Sequence, residues 1–444
     1  MRKLVLSVSG LLMVGAALGQ SAEAYTHKVI YSFCAKADCA DGDAPAGALV
    51  MDAAGNLYGT TQDGGKVGAN GRREGVVFEL SPNAGHTRWK YQVIHTFCRK
   101  QNCADGYGAL SGLVIDVNGN LYGTTPYGGT DQGFGNGGTL FELSPDGSGW
   151  TYKVLHSFCH RQNCTDGDSP FNGLTYAGAS SAQPYDGVSA LYGTTTFGGK
   201  YFSTEGGTAF SLTPDQTGGW QYDVLYSFCS TADCRTQLPN PSSAPAEGAD
   251  GTLYLTTDQD GFDGNLVAVV PNGSKWHERT EHSFCALSGC LDGDHPQPDT
   301  LAIDGGGIVY GTTVGGAANS GGTIFSLDPA TRNLATLYNF CALANCADGG
   351  TPRAGVLRNA SGDLFGVTSR GGNSTQAGVA YELGHDGQFS VLYTFCAQTN
   401  CADGSGPENT FVMGADGTLY GLTGDGGANA GGDHGSGTVY ELTP

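Results

Sequence analysis

Seven near-copies of one pentapeptide, seven identically spaced cysteine pairs and almost no amphipathic helical stretch predict an all-β fold. The architecture they specify is a seven-bladed β-propeller with four antiparallel strands per blade. The pentapeptide is Leu57-Tyr58-Gly59-Thr60-Thr61. It returns at Leu121–Thr125 and Leu191–Thr195, and with substitutions at Leu253–Thr257, Val309–Thr313, Leu364–Thr368 and Leu419–Thr423. The 74 glycines and the low charged content of 14% suit many short strands joined by turns.

Each repeat, about sixty residues long, reads as four strands. In the first copy they are Ala48–Asp52, Leu57–Thr60, Val76–Leu80 and Trp89–Phe97. The first turn is Asn118-Gly119-Asn120, Asp250-Gly251-Thr252 or Asp416-Gly417-Thr418 in other copies, the chemistry of a tight hairpin. The last copy holds three strands, from about Thr410 to Leu442, while Tyr25–Phe33 matches a fourth strand with no preceding three. The N-terminal strand is therefore expected to complete the last blade and close a ring. An open solenoid, the competing architecture, needs distinct capping units, and none is seen.

Arg2 and Lys3, the apolar run Leu4–Gly19 and Ala22-Glu23-Ala24 form the pattern of a secretory signal peptide over residues 1–24. Residues 25–444 are then one propeller domain, secreted or periplasmic, with no transmembrane segment once the signal is removed. The fourteen cysteines fall into Cys34/Cys39, Cys98/Cys103, Cys159/Cys164, Cys229/Cys234, Cys285/Cys290, Cys341/Cys346 and Cys396/Cys401. In an exported chain an even, evenly spaced set reads as local disulfides. Two thiolates would supply only half a tetrahedral metal site. Each small loop closure removes about 2 kcal/mol of unfolded-chain freedom. A net charge of −21 opposes broad attraction to nucleic acid, so no nucleic-acid partner is expected.

All four tryptophans, Trp89, Trp150, Trp220 and Trp276, begin a fourth strand, and one shared repeat position points to packing between blades. His95, His156 and His282 stand where other copies have Tyr31, Tyr226, Tyr338 and Tyr393. A position that accepts either ring is structural.

In an antiparallel meander the second-to-third-strand loops and the inter-blade loops emerge on one face. That face then gathers the long glycine-rich loops and the cysteine pairs, and is the place to look for a site. The Asp-Gly segments that follow the cysteines, such as Asp41-Gly42-Asp43 and Asp166-Gly167-Asp168, read as Asx-type turns. Calcium is the disfavoured alternative, because the segments lack a longer run of alternating oxygen ligands. No cofactor and no metal is expected.

The blades are not equal. Arg99, Lys100, His160 and Arg161 lie between cysteines in two neighbouring copies, and Lys36, Lys66, Arg72, Arg73 and Lys200 share that sector. Nearby aromatics include Tyr107, Tyr127, Phe171 and Tyr201. A basic and aromatic patch on an acidic ring suits an acidic glycan or another anionic chain. His295 is also singular: matching positions hold Ala44, Gly108, Ser169, Thr351 and Gly406.

With the Leu-Tyr-Gly-Thr-Thr copies, the Gly-Gly that follows and strands like Gly75-Val76-Val77-Phe78-Glu79-Leu80 laid out, the chain resembles the bacterial GloVer-containing, choice-of-anchor tandem-repeat proteins. The resemblance spans residues 25–444. It implies export and repeat identity, and it brings no activity and no catalytic residues.

The expected function is to bind, and potentially cleave, an extracellular polysaccharide on the loop-rich face, as a monomer. A lyase would use His160 or His295 as base, Tyr127 as acid and Arg99, Lys100 or Arg161 as neutralisers, with Tyr107, Phe171 and Tyr201 contributing contacts. A hydrolase would need two suitably separated carboxylates. The alternative is a non-catalytic binding or scaffold module, for adhesion or protein interaction. Seven equivalent linings of the central pocket would favour the scaffold, and one chemically mixed sector the enzyme.

Overall fold

A computed structural model describes residues 25–130, 137–147, 149–179, 183–200, 206–215, 217–229, 240–259, 262–296, 299–429 and 435–444. Residues 1–24, expected from the sequence to be a signal peptide, and Tyr201 and Cys234 lie outside the described residues. Seven antiparallel sheets follow one another around a ring, so the chain is a seven-bladed β-propeller. Blade one consists of Asp43–Met51, Leu57–Asp63, Val76–Pro82 and Trp89–Thr96, from the central channel outward. In blade four the innermost strand is split into Asn240–Pro241 and Ala246–Glu247, both paired to Leu253–Gln259.

The ring closes as the repeat pattern requires. Thr26–Ser32 pairs antiparallel with Thr438–Thr443, in a register running from Thr26 opposite Thr443 to Ser32 opposite Thr438. The N-terminal strand thus becomes the outer strand of blade seven, whose other members are Val412–Met413, Leu419–Thr423 and Thr438–Thr443.

Every letter of the pentapeptide has a physical task. Leu57 is fully buried against Phe33, Leu49, Phe78 and Tyr420, in an apolar cluster spanning two neighbouring blades. Tyr58 donates its hydroxyl to Asp52 Oδ2 (3.1 Å), while its ring meets Trp150 of the next blade edge-on at 5.8 Å. Gly59 has no room for a side chain, because a Cβ there would lie 2.6 Å from Phe78 Cζ and 2.9 Å from Leu49 Cδ2. Thr60 Oγ1 reaches Ala46 O at 2.7 Å and Ser111 O at 3.2 Å, which ties adjacent inner strands together. Thr61 Oγ1 donates to Asp63 O (2.8 Å) and accepts from Val76 N (3.1 Å), fixing the start of the long loop.

The hairpin turns form as expected, with Gly55, Gly119, Gly251 and Gly417 at φ between 79° and 84°, where a side chain would be strained. The tryptophans do pack between blades: Trp89 meets Tyr420 at 5.8 Å and Trp220 meets Tyr122 at 5.5 Å, both edge-on.

The Asp-Gly segments are not Asx turns. Asp41 is fully buried and reaches back to the disulfide loop, accepting from Ala35 N (2.9 Å), Lys36 N (3.0 Å) and Tyr31 Oη (2.5 Å). Asp348 repeats this with Ala342 N, Leu343 N and Tyr338 Oη, and Asp403 with Ala397 N, Gln398 N and Tyr393 Oη. Where histidine replaces tyrosine the same carboxylate serves: His282 Nε2 lies 2.9 Å from Asp292 Oδ2 and His156 Nε2 3.3 Å from Asp166 Oδ2. The interchange of rings is therefore structural wherever that aspartate is present, because each ring turns one polar atom toward it; Tyr226, whose copy has no Asp-Gly, donates to Glu278 Oε2 at 3.4 Å instead. Five of these rings also stack on a ring of the next blade's outer strand, as Tyr31 does on Tyr91 at 4.0 Å and His95 on Tyr152 at 3.9 Å.

Cystines join Cys34–Cys39, Cys98–Cys103, Cys159–Cys164, Cys285–Cys290, Cys341–Cys346 and Cys396–Cys401, and Cys229 is also disulfide-bonded. Hydrogen bonds from Gly65 N to Cys39 O, Gly129 N to Cys103 O and Gly427 N to Cys401 O tie the second-to-third loops to the stapled loops. Both loop classes therefore share one face.

Candidate functional site

On that face the central channel opens into a cavity of about 1020 Å³. Its walls come from the starts of the innermost strands and from the second-to-third loops, the latter supplying Gln62, Thr196, Phe197, Asp258, Gly424 and Asp425. In each blade the innermost strand carries an apolar residue, eight positions before the pentapeptide in six blades and seventeen before it in blade three: Leu49, Leu113, Leu174, Pro245, Leu301, Val356 and Phe411. Two positions earlier stand Gly47, Ser111, Asn172, Ser243, Asp299, Ala354 and Asn409. Three positions earlier stand Ala46, Leu110, Phe171, Ser242, Arg353 and Glu408, with Pro298 outside the described residues. The residues that pack repeat, while those that reach the cavity differ from blade to blade. The lining is chemically mixed.

Aromatic and charged groups occupy different parts of this mouth. Phe171 lines the cavity and meets Tyr127 edge-on at 5.8 Å, and Tyr127 leans on Tyr107 at 5.2 Å. Tyr107 and Tyr127 are held together by backbone pairing between their loops. Burial raises the Tyr107 hydroxyl above its ordinary value, helped by Glu74. Asn172, beside Phe171, donates to Thr194 Oγ1 (3.1 Å) and Pro241 O (3.2 Å).

Blades four to seven supply charge, beginning with Asp258. Arg353 Nε stands 3.7 Å from Glu408 Oε1. Desolvation within the mouth raises the Glu408 carboxyl, Arg353 pulls it down, and Asp425 pushes it up again. The Asp425 backbone is pinned by reciprocal bonds with Ser405 (3.0 and 3.1 Å) and by Thr423 Oγ1 (2.8 Å). Asp299 instead binds the ring together: its carboxylate accepts from Gly355 N (2.6 Å), Thr410 N (2.9 Å) and Thr410 Oγ1 (2.6 Å). Its carbonyl accepts from Ala244 N at 3.1 Å, so one residue links blades four to seven. Burial raises its carboxyl despite those hydrogen bonds.

Of the residues singled out in the sequence, the fold brings Tyr107, Tyr127 and Phe171 together. Arg99, Lys100, His160 and Arg161 are exposed on stapled loops and do not line the cavity. The Arg99 guanidinium donates to Val67 O, and that of Arg161 lies 6.0 Å above the Tyr222 ring. His295 occupies the repeat position of Ala44 and Gly406, both cavity-lining, with φ 53° and its Nδ1 against Asp294 Oδ1. Among the described residues the grouped ligand atoms are Cys159, Cys164 and Asp168, and Asp263, Cys285 and Cys290. Both sets depend on cystine sulfurs, which lack the thiolate charge a metal requires.

The sequence reading missed Arg353, Glu408 and Asp299. Their signal was present in the aligned positions before the repeated apolar residue, where seven copies hold unlike side chains.

The model of the Gloeobacter/Verrucomicrobia repeat matches residues 15–182 and 179–434. The chain belongs to this repeat family. Solved structures similar to this repeat protein include a putative 6-phosphogluconolactonase from Bacteroides fragilis NCTC 9343, at 14% identity over 90% of this chain and 88% of that chain, with a TM-score of 0.45. A puromycin hydrolase matches at 13% identity over 86% of this chain and 50% of that chain, TM-score 0.45. The Aleuria aurantia lectin matches at 12% identity over 80% and 98%, TM-score 0.40. No curated protein matches.

Proposed function

We propose that this repeat protein is an exported glycan-binding propeller that seats a chain end in the channel mouth and hydrolyses a glycosidic bond there. The observation that supports it is the contrast within each repeat: packing residues recur, while mouth residues are diversified. A uniform scaffold would give those positions no reason to differ. A sugar ring has an apolar face and hydroxyl edges, and the mouth offers Phe171 and Phe197 for the first and Gln62, Asn172 and Asn409 for the second. Asp258, Glu408 and Asp425 outnumber Arg353, which favours a neutral or amino-bearing unit over a uronate.

Glu408, with its raised carboxyl, suits the acid that protonates the leaving oxygen, and Asp425 the base that takes a proton from the attacking water. β-Elimination is less well served, because Arg353 is the one guanidinium among the lining residues. The cystines support export, since such bonds persist in oxidising compartments.

Calorimetry against a panel of neutral and amino-bearing polysaccharides, with reducing-end release measured in parallel, tests the reading. Glu408→Gln should keep binding and lower turnover by about a hundredfold or more, while Phe171→Ala should weaken binding. Failure of the whole panel to bind, or binding indifferent to Phe171→Ala, would refute the site. Binding without product would leave the non-catalytic module.

A further inference from the structure

The rim outside the mouth is polarised in a way the mouth does not explain. Lys36, Lys66, Arg72, Arg99, Lys100 and Arg161 are all exposed on the stapled and second-to-third loops flanking blades one to three. Those of blade one form a single hydrogen-bonded assembly: Gly65 N binds Cys39 O, Ala69 N binds Cys98 O, Arg73 pairs with Asp38 at 2.9 Å, and the Arg99 guanidinium meets Val67 O. The position two residues after the first cysteine is Lys36, Lys100 and Arg161 in this sector. Around the ring it becomes Leu287, Leu343 and Gln398. Leu287 and Leu343 are 55% and 57% exposed, so the change concerns surface chemistry and not packing.

We propose that this half-rim is a second binding site, distinct from the mouth, for a polyanionic extracellular polysaccharide. Several cations fixed on stapled loops hold a line of carboxylates at little ordering cost, because the disulfides and interloop hydrogen bonds already set the backbone. On a chain of net charge −21 such a patch does not arise from general basicity. The surrounding negative field also steers a flexible polyanion to this sector and away from the acidic mouth.

Polygalacturonate immobilised on beads, with neutral dextran beads as comparator, supplies the test. The wild-type protein should be retained on polygalacturonate alone at low ionic strength and released as salt rises. A Lys66→Glu, Arg99→Glu, Lys100→Glu, Arg161→Glu variant should lose affinity by at least about tenfold, and a matching set of glutamine substitutions by less. Glu408→Gln, at the mouth, should be retained like wild type. An unchanged near-ultraviolet circular dichroism spectrum certifies the fold of each variant. Absence of retention at low salt, retention unaffected by the four substitutions, or stronger competition by duplex DNA or anionic vesicles than by soluble polygalacturonate would overturn the proposal.

Discussion

Blade four contains a natural exchange that can be transplanted. Six copies of the pentapeptide place glycine opposite an aromatic ring on the third strand, as in Gly123 opposite Phe141 and Gly366 opposite Tyr381. Blade four places Leu255 opposite Val267, and both are buried. In blade two a Cβ on Gly123 would sit 2.7 Å from Phe141 Cζ and 2.8 Å from Leu113 Cδ2, so Gly123→Leu alone overpacks the interface and should cost about 3 kcal/mol or more. Phe141→Val alone leaves a void in a fully buried position and should cost about 3 kcal/mol. Together the two changes add as many side-chain carbons as they remove, and removing the ring frees space for Leu113 to shift. The double variant should return to within about 1.5 kcal/mol of wild type, a volume-conserving swap. The coupling is then at least about 4.5 kcal/mol, which guanidinium unfolding of the four proteins measures directly. Additive losses in the double variant would show that the blade-four pairing depends on its other differences, Pro245 in place of Leu113 among them, and would refute the steric explanation.

Asp348→Ala should cost about 3 kcal/mol, because it leaves Ala342 N, Leu343 N and Tyr338 Oη without their buried acceptor; hydrogen exchange should accelerate first in that stapled loop. Burial depresses His27 to about 4 and His95 to about 3, so both are neutral when folded and the unfolded chain binds more protons below about pH 6.5. Stability should therefore fall progressively from about pH 6.5 down through 4, and His95→Tyr, which installs the ring found at Tyr31, should flatten part of that acid limb in a thermal-melt series. Reduction of the cystines should open the loop face before the sheets; limited proteolysis should cut first between paired cysteines or in the adjoining loops, and first cuts inside Leu57–Thr61 would contradict this.

The ring itself was legible because its signals are local and repeated. A glycine under an aromatic ring recurs in six blades and a threonine at the Thr60 position in five, so one copy interprets the others. The Asp-Gly segments misled for the opposite reason. Their local chemistry suggests a forward Asx turn, whereas Asp41 turns back to Ala35 and Lys36 because the cystine curls those amides toward it. Adjacent charges in sequence were equally deceptive: Arg99 and Lys100 are conspicuous but stand on the rim.

Mouth residues escape such reading because they occupy the places where the repeat gives way. Blade five spaces Asp292 and Leu301 nine apart, where blade six spaces Asp348 and Val356 eight apart, so an alignment anchored on Asp-Gly sets Asp299 one place out of register. Anchored on the apolar residue and the pentapeptide instead, Asp299 falls beside Ala354 and Asn409, and its unlikeness becomes visible. That unlikeness also separates two kinds of charge. Asp299 spends its carboxylate on Gly355 and Thr410 and is a strut across four blades, whereas Glu408 meets Arg353 at 3.7 Å with both side chains about half exposed to the mouth. Asp299→Asn should therefore destabilise the ring by about 1–3 kcal/mol, since the amide replaces an acceptor facing three donors, and Glu408→Gln should leave the unfolding midpoint unchanged. Equal midpoint losses in the two variants would place Glu408 among the struts and remove it from the candidate site.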